Sequence, residues 1–373
     1  MWILIFGSIV LATVLGIIYL ISRFAKFSIV QQVAKGKKII SFGLGFIPVV
    51  LIFLATWLTL GSINAMICII HLMAIWLMCD GVSKLVEKKW KKKVTKYDYI
   101  GVLAMGITVV YLLCGAYLAY HVWSKEYTLT TDKPVGDLRI VQFADSHVGT
   151  TFDGEGFAEH VEAMQSENPD IVVITGDYVD DDTTKEDMIA ACKALGTLQT
   201  TYGVYYAFGN HDKGYYGPEY RGYSGEELIA ELEKNNVKVL QDETVLVDDR
   251  FYIIGRQDRS EEQMGSSRAS MEELVSGLDA DKYSIVLDHQ PHDYDAQAAS
   301  GVDLVLSGHT HGGQLFPVNY MGEWTGENDK TYGLETRENT NFIVTSGISD
   351  WAIKFKTGCK SEYVVIDVNG VSK

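Results

Sequence analysis

Five short blocks of metal-ligating residue types occur in order along the second half of the chain. They are Asp145-Ser146-His147, Gly176-Asp177, Gly209-Asn210-His211-Asp212, His289, and Gly308-His309-Thr310-His311. Carboxylate, imidazole and amide side chains are the oxygen and nitrogen ligands that divalent first-row metals accept. One such block alone would be more typical of a turn or of a structural histidine. Five blocks in series predict a single metal site assembled from distant parts of the chain.

Each block lies at or next to the end of a short apolar run that is rich in β-branched or aromatic residues. These runs cover residues 138–144, 171–175, 203–208, 284–287 and 302–307, and their length and composition are typical of buried strands. Helix-like spacing and Ser or Thr start signals occur between them, in residues 156–167, 184–200, 224–235 and 270–278. The alternation predicts a layered α/β domain in which loops at the carboxyl ends of strands bring the blocks together.

The number of candidate ligands suits two divalent ions better than one. Two ions about 3.5 to 4 Å apart need roughly seven or eight ligands, usually with one carboxylate shared between them. Asp177 is the natural bridge. Such a pair can generate hydroxide from a shared water near neutral pH and can neutralise a phosphate oxygen during in-line attack. The pattern therefore predicts phosphoester hydrolysis without a covalent enzyme intermediate.

The series resembles the D-x-H, G-D, G-N-H-[DE], H and G-H-x-H blocks of the calcineurin-like metallophosphoesterase superfamily. All five blocks are present in order, and the resemblance extends over about residues 138–368. It implies two divalent metal ions per chain, the first held by Asp145, His147, Asp177 and His311 and the second by Asp177, Asn210, His289 and His309. These ligand types suit Mn, Fe and Zn alike.

The resemblance also implies a catalytic residue, a fold and a branch of the superfamily. In the family the histidine after the metal-binding asparagine faces the scissile phosphate, so His211 is expected to stabilise the transition state or protonate the leaving oxygen, with Asp212 orienting it. The implied fold is an α/β/β/α sandwich of two mixed sheets. Gly312-Gly313-Gln314 and Thr345-Ser346-Gly347-Ile348 resemble a bacterial branch whose members are often membrane-anchored and include lipid-linked pyrophosphate hydrolases.

Other polar and aromatic residues have simpler interpretations. Asp180 is interpreted as part of a solvated acidic loop, with support of the metal ligands as the alternative. Contact of Arg256 or Arg259 with a substrate phosphate is a minor hypothesis. The aromatic-rich stretches 213–224 and 320–337 are equally consistent with substrate binding and with loop packing. The remaining histidines are expected to be structural: His71, His121, His160 and His292.

The first third of the chain has the composition of a membrane region. Residues 1–22, 39–79 and 99–123 contain no charged residue, and about 20 apolar residues suffice to cross a bilayer. Because the middle stretch is too long for one span, Gly61-Ser62-Ile63-Asn64 is predicted to divide it. The predicted spans are therefore 2–22, 39–60, 63–79 and 99–123, the third ending early at Asp80. A cleaved signal peptide competes only for the first span, and no basic segment precedes it.

These spans define the predicted domains as a four-helix membrane region at 1–124, a linker at 125–137 and a catalytic domain at 138–373. Two loops between spans are rich in basic residues. The first carries Arg23, Lys26, Lys35, Lys37 and Lys38, and the second carries Lys84, Lys88, Lys89, Lys91, Lys92, Lys93 and Lys96. The positive-inside rule places both loops in the cytoplasm, and binding to anionic headgroups would place them there too. Four spans then put the catalytic domain on the outer side of the cell membrane.

The two parts of the chain also differ in charge. Residues 1–124 contain 12 basic and 3 acidic residues, whereas the remainder contains 20 basic and 45 acidic residues. Such acidity disfavours capture of nucleic acid, while two metal ions would supply the local positive charge that a phosphorylated small molecule or lipid needs. The sequence predicts a phosphohydrolase anchored in the lipid bilayer and acting on a phosphoester or pyrophosphate. The alternative is a non-catalytic metal- or ligand-binding sensor or scaffold, although no ligand of the motif set is missing.

Overall fold

The computed structural model describes residues 2–91 and 97–371, which divide into two compact units. The first comprises Met1–Ala116 with Ala352–Lys354, and the second comprises Tyr117–Trp351 with Phe355–Lys373. Lys92, Lys93 and Lys96 of the second predicted cytoplasmic loop lie outside the described residues.

The first unit is helical. Its helices are α1 (Trp2–Phe24), α2 (Ser28–Ala34), α3 (Lys38–Leu60), α4 (Ser62–Trp90) and α5 (Tyr97–Tyr120). Within the described residues, α1, α3, α4 and α5 are long and apolar enough to cross a membrane. Gly61, with a φ of 87°, separates α3 from α4 where the sequence predicted a break. Four long apolar helices before the α/β domain confirm the predicted arrangement.

The third predicted span was too short, because α4 continues past Cys79 to Trp90. Asp80, predicted to end that span, is buried inside the helical unit. Its Oδ2 lies 2.7 Å from Nη2 of Arg23 and accepts a hydrogen bond from the Tyr19 hydroxyl at 3.0 Å. An ionisable residue is tolerated within an apolar helix when a neighbouring helix supplies its partner. Here α1 supplies that partner, and the helix continues.

The second unit contains two six-stranded sheets in the described residues. The strands are β1 (Val122–Thr130), β2 (Asp137–Phe143), β3 (Ile171–Thr175), β4 (Val204–Ala207), β5 (Val237–Leu240), β6 (Glu243–Val247), β7 (Phe251–Gly255), β8 (Tyr283–Leu287), β9 (Leu304–Ser307), β10 (Gly333–Arg337), β11 (Thr340–Val344) and β12 (Ser361–Asn369). The strand orders are β1-β12-β2-β3-β4-β5 and β10-β11-β9-β8-β7-β6. Both sheets are mixed, since β2 is antiparallel to β12 and parallel to β3, and β7 is antiparallel to β6 and parallel to β8.

Helices connect and flank the strands. They are α6 (Phe157–Ser166), α7 (Lys185–Leu195), α8 (Pro218–Arg221), α9 (Gly225–Lys234), α10 (Ser260–Gln263), α11 (Met271–Val275), α12 (Tyr294–Ala299) and α13 (Met321–Thr325), with a 3₁₀ turn at His311–Gly313. Four of them lie within the segments predicted from helical spacing. Thr184 caps α7, while Ser224 and Ser270 begin α9 and α11 with capping boxes, so the start signals were interpreted correctly.

Alternation along the strands divides the unit into four layers. In β2, Val141 and Phe143 pack with α6, α7 and α9, whereas Ile140 enters a core shared by the two sheets. In β7, Ile253 enters the shared core and Ile254 packs with α11 and α12. Successive strand residues point to opposite faces, so each sheet is covered on both sides. The layers confirm the predicted α/β/β/α sandwich.

The segment predicted as a linker at 125–137 contains much of strand β1. This strand pairs in parallel with β12, from Val122 opposite Ser361 to Thr130 opposite Asn369. Partly or fully buried Tyr127 and Leu129 alternate with exposed residues, a two-residue period typical of a strand with one covered face. The linker prediction overlooked that period, and β1 begins only one residue after α5 ends.

Candidate metal centre

Loops that follow β2, β3, β4, β8 and β9 bring the predicted ligands together. In one cluster, the ligand atoms of Asp145, His147 and His311 all lie within 4.8 Å of one another, and a second cluster with the same spacing is formed by Asp177, His289 and His309. The clusters contain the aspartates and histidines that the family resemblance implies for two separate ions, and Asn210 precedes His211, whose backbone N–H donates to Asp177. The ion that each residue binds stays a prediction.

Asp177 lies between the two clusters. Its Oδ2 is 3.7 Å from Nε2 of His147 in the first cluster and 3.1 Å from Nε2 of His289 in the second. Its other oxygen, Oδ1, accepts a hydrogen bond from the backbone N–H of His211 at 2.8 Å. One carboxylate within reach of both clusters fits the bridging role predicted for it.

Unpartnered buried atoms test whether the site fits metal ions. Nε2 of His147, Nε2 of His289 and Oδ1 of Asn210 are buried without a hydrogen-bond partner among the residues that the structure describes. A polar atom left in this state costs free energy comparable to its desolvation. All three belong to predicted ligands, and each would be satisfied by coordination to a divalent ion. The donor set therefore fits a dinuclear divalent metal centre.

Hydrogen bonds at Nδ1 leave Nε2 available for a metal ion in His289 and His311. Nδ1 of His289 lies 2.8 Å from the carbonyl oxygen of Thr175, and Nδ1 of His311 lies 3.3 Å from that of Ser349. A carbonyl oxygen only accepts, so Nδ1 carries the proton and Nε2 keeps the lone pair that a metal needs.

Asp180 serves the same purpose for His147, which corrects its interpretation as part of a solvated loop. It is buried, and its Oδ2 lies 3.1 Å from Nδ1 of His147. Its Oδ1 accepts the backbone N–H groups of Asp182 at 2.9 Å and Thr183 at 3.1 Å. The carboxylate therefore orients a ligand instead of facing water. The spacing of Asp180 and Thr183, which suits a side-chain-capped turn, was the available signal.

Asp212 binds backbone rather than orienting the imidazole of His211. Its Oδ2 accepts the N–H groups of Asp177 and Gly209 at 2.9 and 2.6 Å, and its Oδ1 accepts those of Tyr178 and Val179 at 2.8 and 3.1 Å. The carboxylate thus ties the loop after β3 to the loop after β4. Burial, followed by repulsion from Asp177, raises the pKa of Asp212 to about 6.

His211 lies at the edge of the two clusters. Its ring centroid is 5.2 Å from that of His147, and Tyr215 and Trp351 flank it with centroids at 5.1 Å each. Burial is the largest cause that lowers the pKa of His211. A half-buried imidazole beside the ligands and two exposed aromatic rings is placed for contact with a substrate, and its catalytic role stays a prediction.

The predicted ligands differ in how strongly they bind protons, because their pKa values are shifted in different directions. Burial raises the pKa of Asp145 to about 6. Burial opposes protonation of His147, but its hydrogen bond to Asp180 and the charge of Asp177 prevail and raise its pKa to about 9. In His309, burial and the neighbouring His289 lower the pKa to about 3. Protons therefore occupy some ligands and not others, and metal ions must compete with them.

The loop after β11 supports the first cluster, and the part that Lys356 plays in it was not predicted from the sequence. Lys356 is fully buried, donates a hydrogen bond to the carbonyl oxygen of Ser346 at 2.7 Å and lies 3.5 Å from Oδ1 of Asp350. This loop also supplies the Ser349 carbonyl that orients His311. Lys356, which belongs to no recognised motif, thus stabilises the backbone of the loop that orients the predicted ligand His311.

Close packing and unusual backbone geometry hold the ligand loops. A Cβ atom on Gly308 would lie 2.6 Å from the Cβ of Ala144, and one on Gly347 would lie 2.6 Å from the Cβ of Asp145. Glycine is required at both positions because no side chain fits. Five predicted ligands adopt left-handed backbone angles, namely Asp145, His147, Asp177, His309 and His311. Such conformations cost energy and concentrate at functional sites.

The structure places the two candidate phosphate-binding arginines in ion pairs. Nη1 of Arg256 lies 3.0 Å from Oδ2 of Asp288, and Arg268 pairs with the other oxygen of the same carboxylate. Arg256 is buried, so it stabilises the residue before His289 and does not face a substrate. Arg259 lies 3.8 Å from Oε1 of Glu327.

The fold and the two ligand clusters define a dinuclear metallohydrolase architecture, and comparison with known proteins agrees. A family model for calcineurin-like phosphoesterases matches residues 138–313. An uncharacterized metallophosphoesterase of Aquifex aeolicus is 33% identical over 215 residues, covering 56% of this chain and 78% of that protein. The chain belongs to the calcineurin-like phosphoesterase family.

This chain spans little more than half of the length of other relatives. An uncharacterized metallophosphoesterase of Campylobacter jejuni is 31% identical over 239 residues, covering 63% of this chain and 60% of that protein. A transmembrane protein with metallophosphoesterase domain from Danio rerio is 32% identical over 235 residues, covering 60% and 52%. Among solved structures, a dimetal phosphatase from Danio rerio aligns with a TM-score of 0.36 and 14% identity, covering 57% of this chain and 88% of that chain.

Replacing Asp180 by asparagine should weaken metal binding. An amide that keeps its oxygen towards the backbone of Asp182 and Thr183 presents NH₂ to Nδ1 of His147. The imidazole must then protonate Nε2, and it loses its ligand lone pair. We expect metal affinity to fall about 10- to 100-fold, measured by titration of the metal-stripped protein. Asp182→Asn, an exposed neighbour, is the matched control, and equal affinities for both variants would contradict the role of Asp180.

Replacing Asp212 by asparagine should destabilise the protein. The amide keeps one acceptor oxygen, so two of the four buried N–H groups meet an NH₂ donor. We expect the free energy of unfolding to fall by about 2–4 kcal/mol, measured by denaturant titration of the detergent-solubilised protein. Loss of hydrolysis with unchanged stability and metal content would instead favour the predicted orientation of His211.

Proposed function

We propose that this protein is a metal-dependent phosphohydrolase that attacks a phosphoester or pyrophosphate with metal-activated hydroxide. The observation that supports it best is the pair of ligand clusters, together with Nε2 of His147, Nε2 of His289 and Oδ1 of Asn210, which are buried without a hydrogen-bond partner among the described residues. Asp145, His147, Asp177 and His311 would hold one ion, and Asp177, Asn210, His289 and His309 the other. Two divalent ions at these positions supply hydroxide at neutral pH and neutralise charge on the phosphate.

The chain's own residues orient and stabilise the reacting groups. His211 contacts the substrate phosphate in this proposal, because its backbone is fixed to Asp177 while its ring lies between Tyr215 and Trp351. Asp212 fixes the backbone on both sides of the bridging carboxylate. Donors held in place before the reaction stabilise developing charge without reorganisation. Asp212 is therefore a positioning residue.

The proposed setting is the cell membrane, with a phosphorylated lipid or lipid-linked pyrophosphate as the finer substrate class. Four long apolar helices precede the catalytic sheets, and the basic loops between them favour a cytoplasmic location for those loops. The catalytic domain would then lie outside the cytoplasm. Mn, Fe and Zn all suit the carboxylate, amide and imidazole ligands.

Hydrolysis of p-nitrophenyl phosphate and bis-p-nitrophenyl phosphate by the full chain in detergent tests the activity. We expect no turnover after metal stripping and recovery on addition of Mn. Asp177→Asn should lower turnover by more than about 100-fold, since even the partners of metal ligands contribute 10- to 100-fold. Asp281→Asn is the matched control, because Asp281 is an exposed carboxylate that precedes β8, at the opposite end of this strand from His289. A folded protein that binds two ions yet hydrolyses neither ester nor any lipid pyrophosphate would favour the non-catalytic sensor.

Reporter fusions test the orientation. Alkaline phosphatase is active only outside the cytoplasm, whereas green fluorescent protein exported in an unfolded state stays dark. We expect a C-terminal fusion to give phosphatase activity without fluorescence, and a fusion after Lys91, between α4 and α5, to give the reverse. A fusion after Trp123 would interrupt β1 and is unsuitable. Fluorescence from the C-terminal fusion would place the catalytic domain in the cytoplasm.

A further inference from the structure

Five exposed apolar side chains occur together in one short segment of the catalytic unit. Phe316, Val318, Tyr320, Met321 and Trp324 are all exposed, and Phe316 and Trp324 are 62% and 72% exposed. Elsewhere in the described part of this unit after α5, Leu246, Met264, Leu334 and Val371 are exposed singly, and the aromatic residues Tyr215, Tyr216, Tyr220 and Trp351 are exposed as well. Single exposed apolar residues are normal, whereas a concentration of them marks an interaction surface. We call residues 316–324 the apolar segment.

Hydrogen bonds hold the apolar segment beside the metal centre. Glu323 in α13 accepts the backbone N–H of Thr331 at 2.6 Å, and the carbonyl of Thr331 accepts the hydroxyl of Thr310 at 2.6 Å. Thr310 lies between His309 and His311. At the other end, the N–H of Phe316 donates to the Thr357 hydroxyl at 3.1 Å. The segment is therefore anchored to the loop that carries two predicted ligands.

Charge distinguishes this segment from the rest of the catalytic part of the chain. Residues 312–322 contain no charged residue, although 45 of the 48 acidic residues follow residue 124. Glu323 is the one charged residue in the sequence of the segment, and its carboxylate accepts a hydrogen bond from the backbone N–H of Thr331. Carboxylates are costly to remove from water, so contact of this acidic part of the chain with a bilayer is least unfavourable where charge is absent. Aromatic residues such as Trp and Tyr also prefer the interface between water and hydrocarbon.

The short connection to α5 supports a bilayer as the occupant. Helix α5 ends at Tyr120 and β1 begins at Val122, so only His121 joins an apolar helix of membrane length to the first strand. One residue spans less than about 4 Å. A catalytic unit on so short a connection lies at the membrane surface when α5 crosses the bilayer.

We propose that the apolar segment inserts into the interfacial region of the bilayer, so that the metal centre takes an amphipathic phosphate substrate from the membrane surface. The insertion stands on exposure, charge and chain connection. The substrate class additionally rests on the proposed hydrolase function. Tyr215, Tyr216 and Trp351, exposed around His211, would face the apolar part of such a substrate.

Fluorescence quenching of Trp324 in lipid nanodiscs tests the insertion with the full chain. The emission of wild type minus that of Trp324→Phe isolates this residue from the other tryptophans. We expect phospholipids brominated near the headgroup to quench most of this difference, and aqueous iodide to quench little of it. Quenching by iodide but not by brominated lipid would overturn the proposal. Protection from both quenchers, with two chains per particle, would also overturn it and assign the segment to contact between copies.

A matched pair of double variants tests the consequence for substrate. Phe316→Ser with Trp324→Ser should lower hydrolysis of dioctanoyl phosphatidic acid in nanodiscs by at least about tenfold, because two large apolar side chains would no longer leave water for the bilayer. Hydrolysis of water-soluble p-nitrophenyl phosphate should not change. Leu246→Ser with Met264→Ser removes singly exposed side chains as the control. Equal loss on both substrates, or an equal effect of the control, would overturn the proposal.

The two experiments separate this inference from the proposed function. Quenching of Trp324 by brominated lipid without hydrolysis of any ester would support the membrane contact and contradict the hydrolase. Metal-dependent hydrolysis of the soluble ester with Trp324 accessible only to iodide would leave the hydrolase standing and contradict the membrane contact.

Discussion

The buried carboxylate of Asp177, between two groups of buried imidazoles, is the constraint on which the rest of the catalytic unit depends. Its two oxygens reach His147, His289 and the backbone of His211. A buried charge of this kind is stable only if it is paired and hydrogen-bonded. The surrounding backbone N–H groups, the carboxylate of Asp212 and the left-handed backbone angles of five ligands all serve to keep it in place. The centre is therefore held before any substrate arrives.

The site also explains why two sheets are needed. Asp145, Asp177 and Asn210 follow strands of the first sheet, whereas His289 and His309 follow strands of the second. Gln142 in β2 links the sheets below the ligands, because its Nε2 donates to Thr175 Oγ1 in β3 and to the Ser307 carbonyl in β9, both at 3.0 Å. Slippage between the sheets would separate the two clusters. The apolar core between the sheets thus fixes the spacing of the predicted ligands.

The sequence predicted the parts of the structure that local pattern determines. Apolar runs that end in Asp, Gly or His predicted the strands and the ligands at their ends, because strand polarity alone brings those ends together. The supporting residues were not predictable in the same way. The sequence identified Asp212 by its motif and Asp180 as an alternative, and it did not identify Lys356. The groups that these three residues bind depend on which backbone groups the fold leaves without partners. Asp80 was misread for a similar reason, since its partner Arg23 lies on another helix.

The acidity of the catalytic part and the uncharged 312–322 stretch have a common physical basis. The predicted ligand set brings two carboxylates and a charge-stabilising Asp180 into the interior, and two divalent ions more than neutralise them locally. The acidic surface outside the centre opposes the positive field of those ions at longer distances. Phosphates would therefore be attracted only close to the metal centre. A substrate would then need to reach the metal centre through an interaction other than long-range electrostatic attraction. In the proposed membrane contact, the apolar segment beside the loop of His309 and His311 would provide such delivery, and it would favour a phosphate that carries an apolar group.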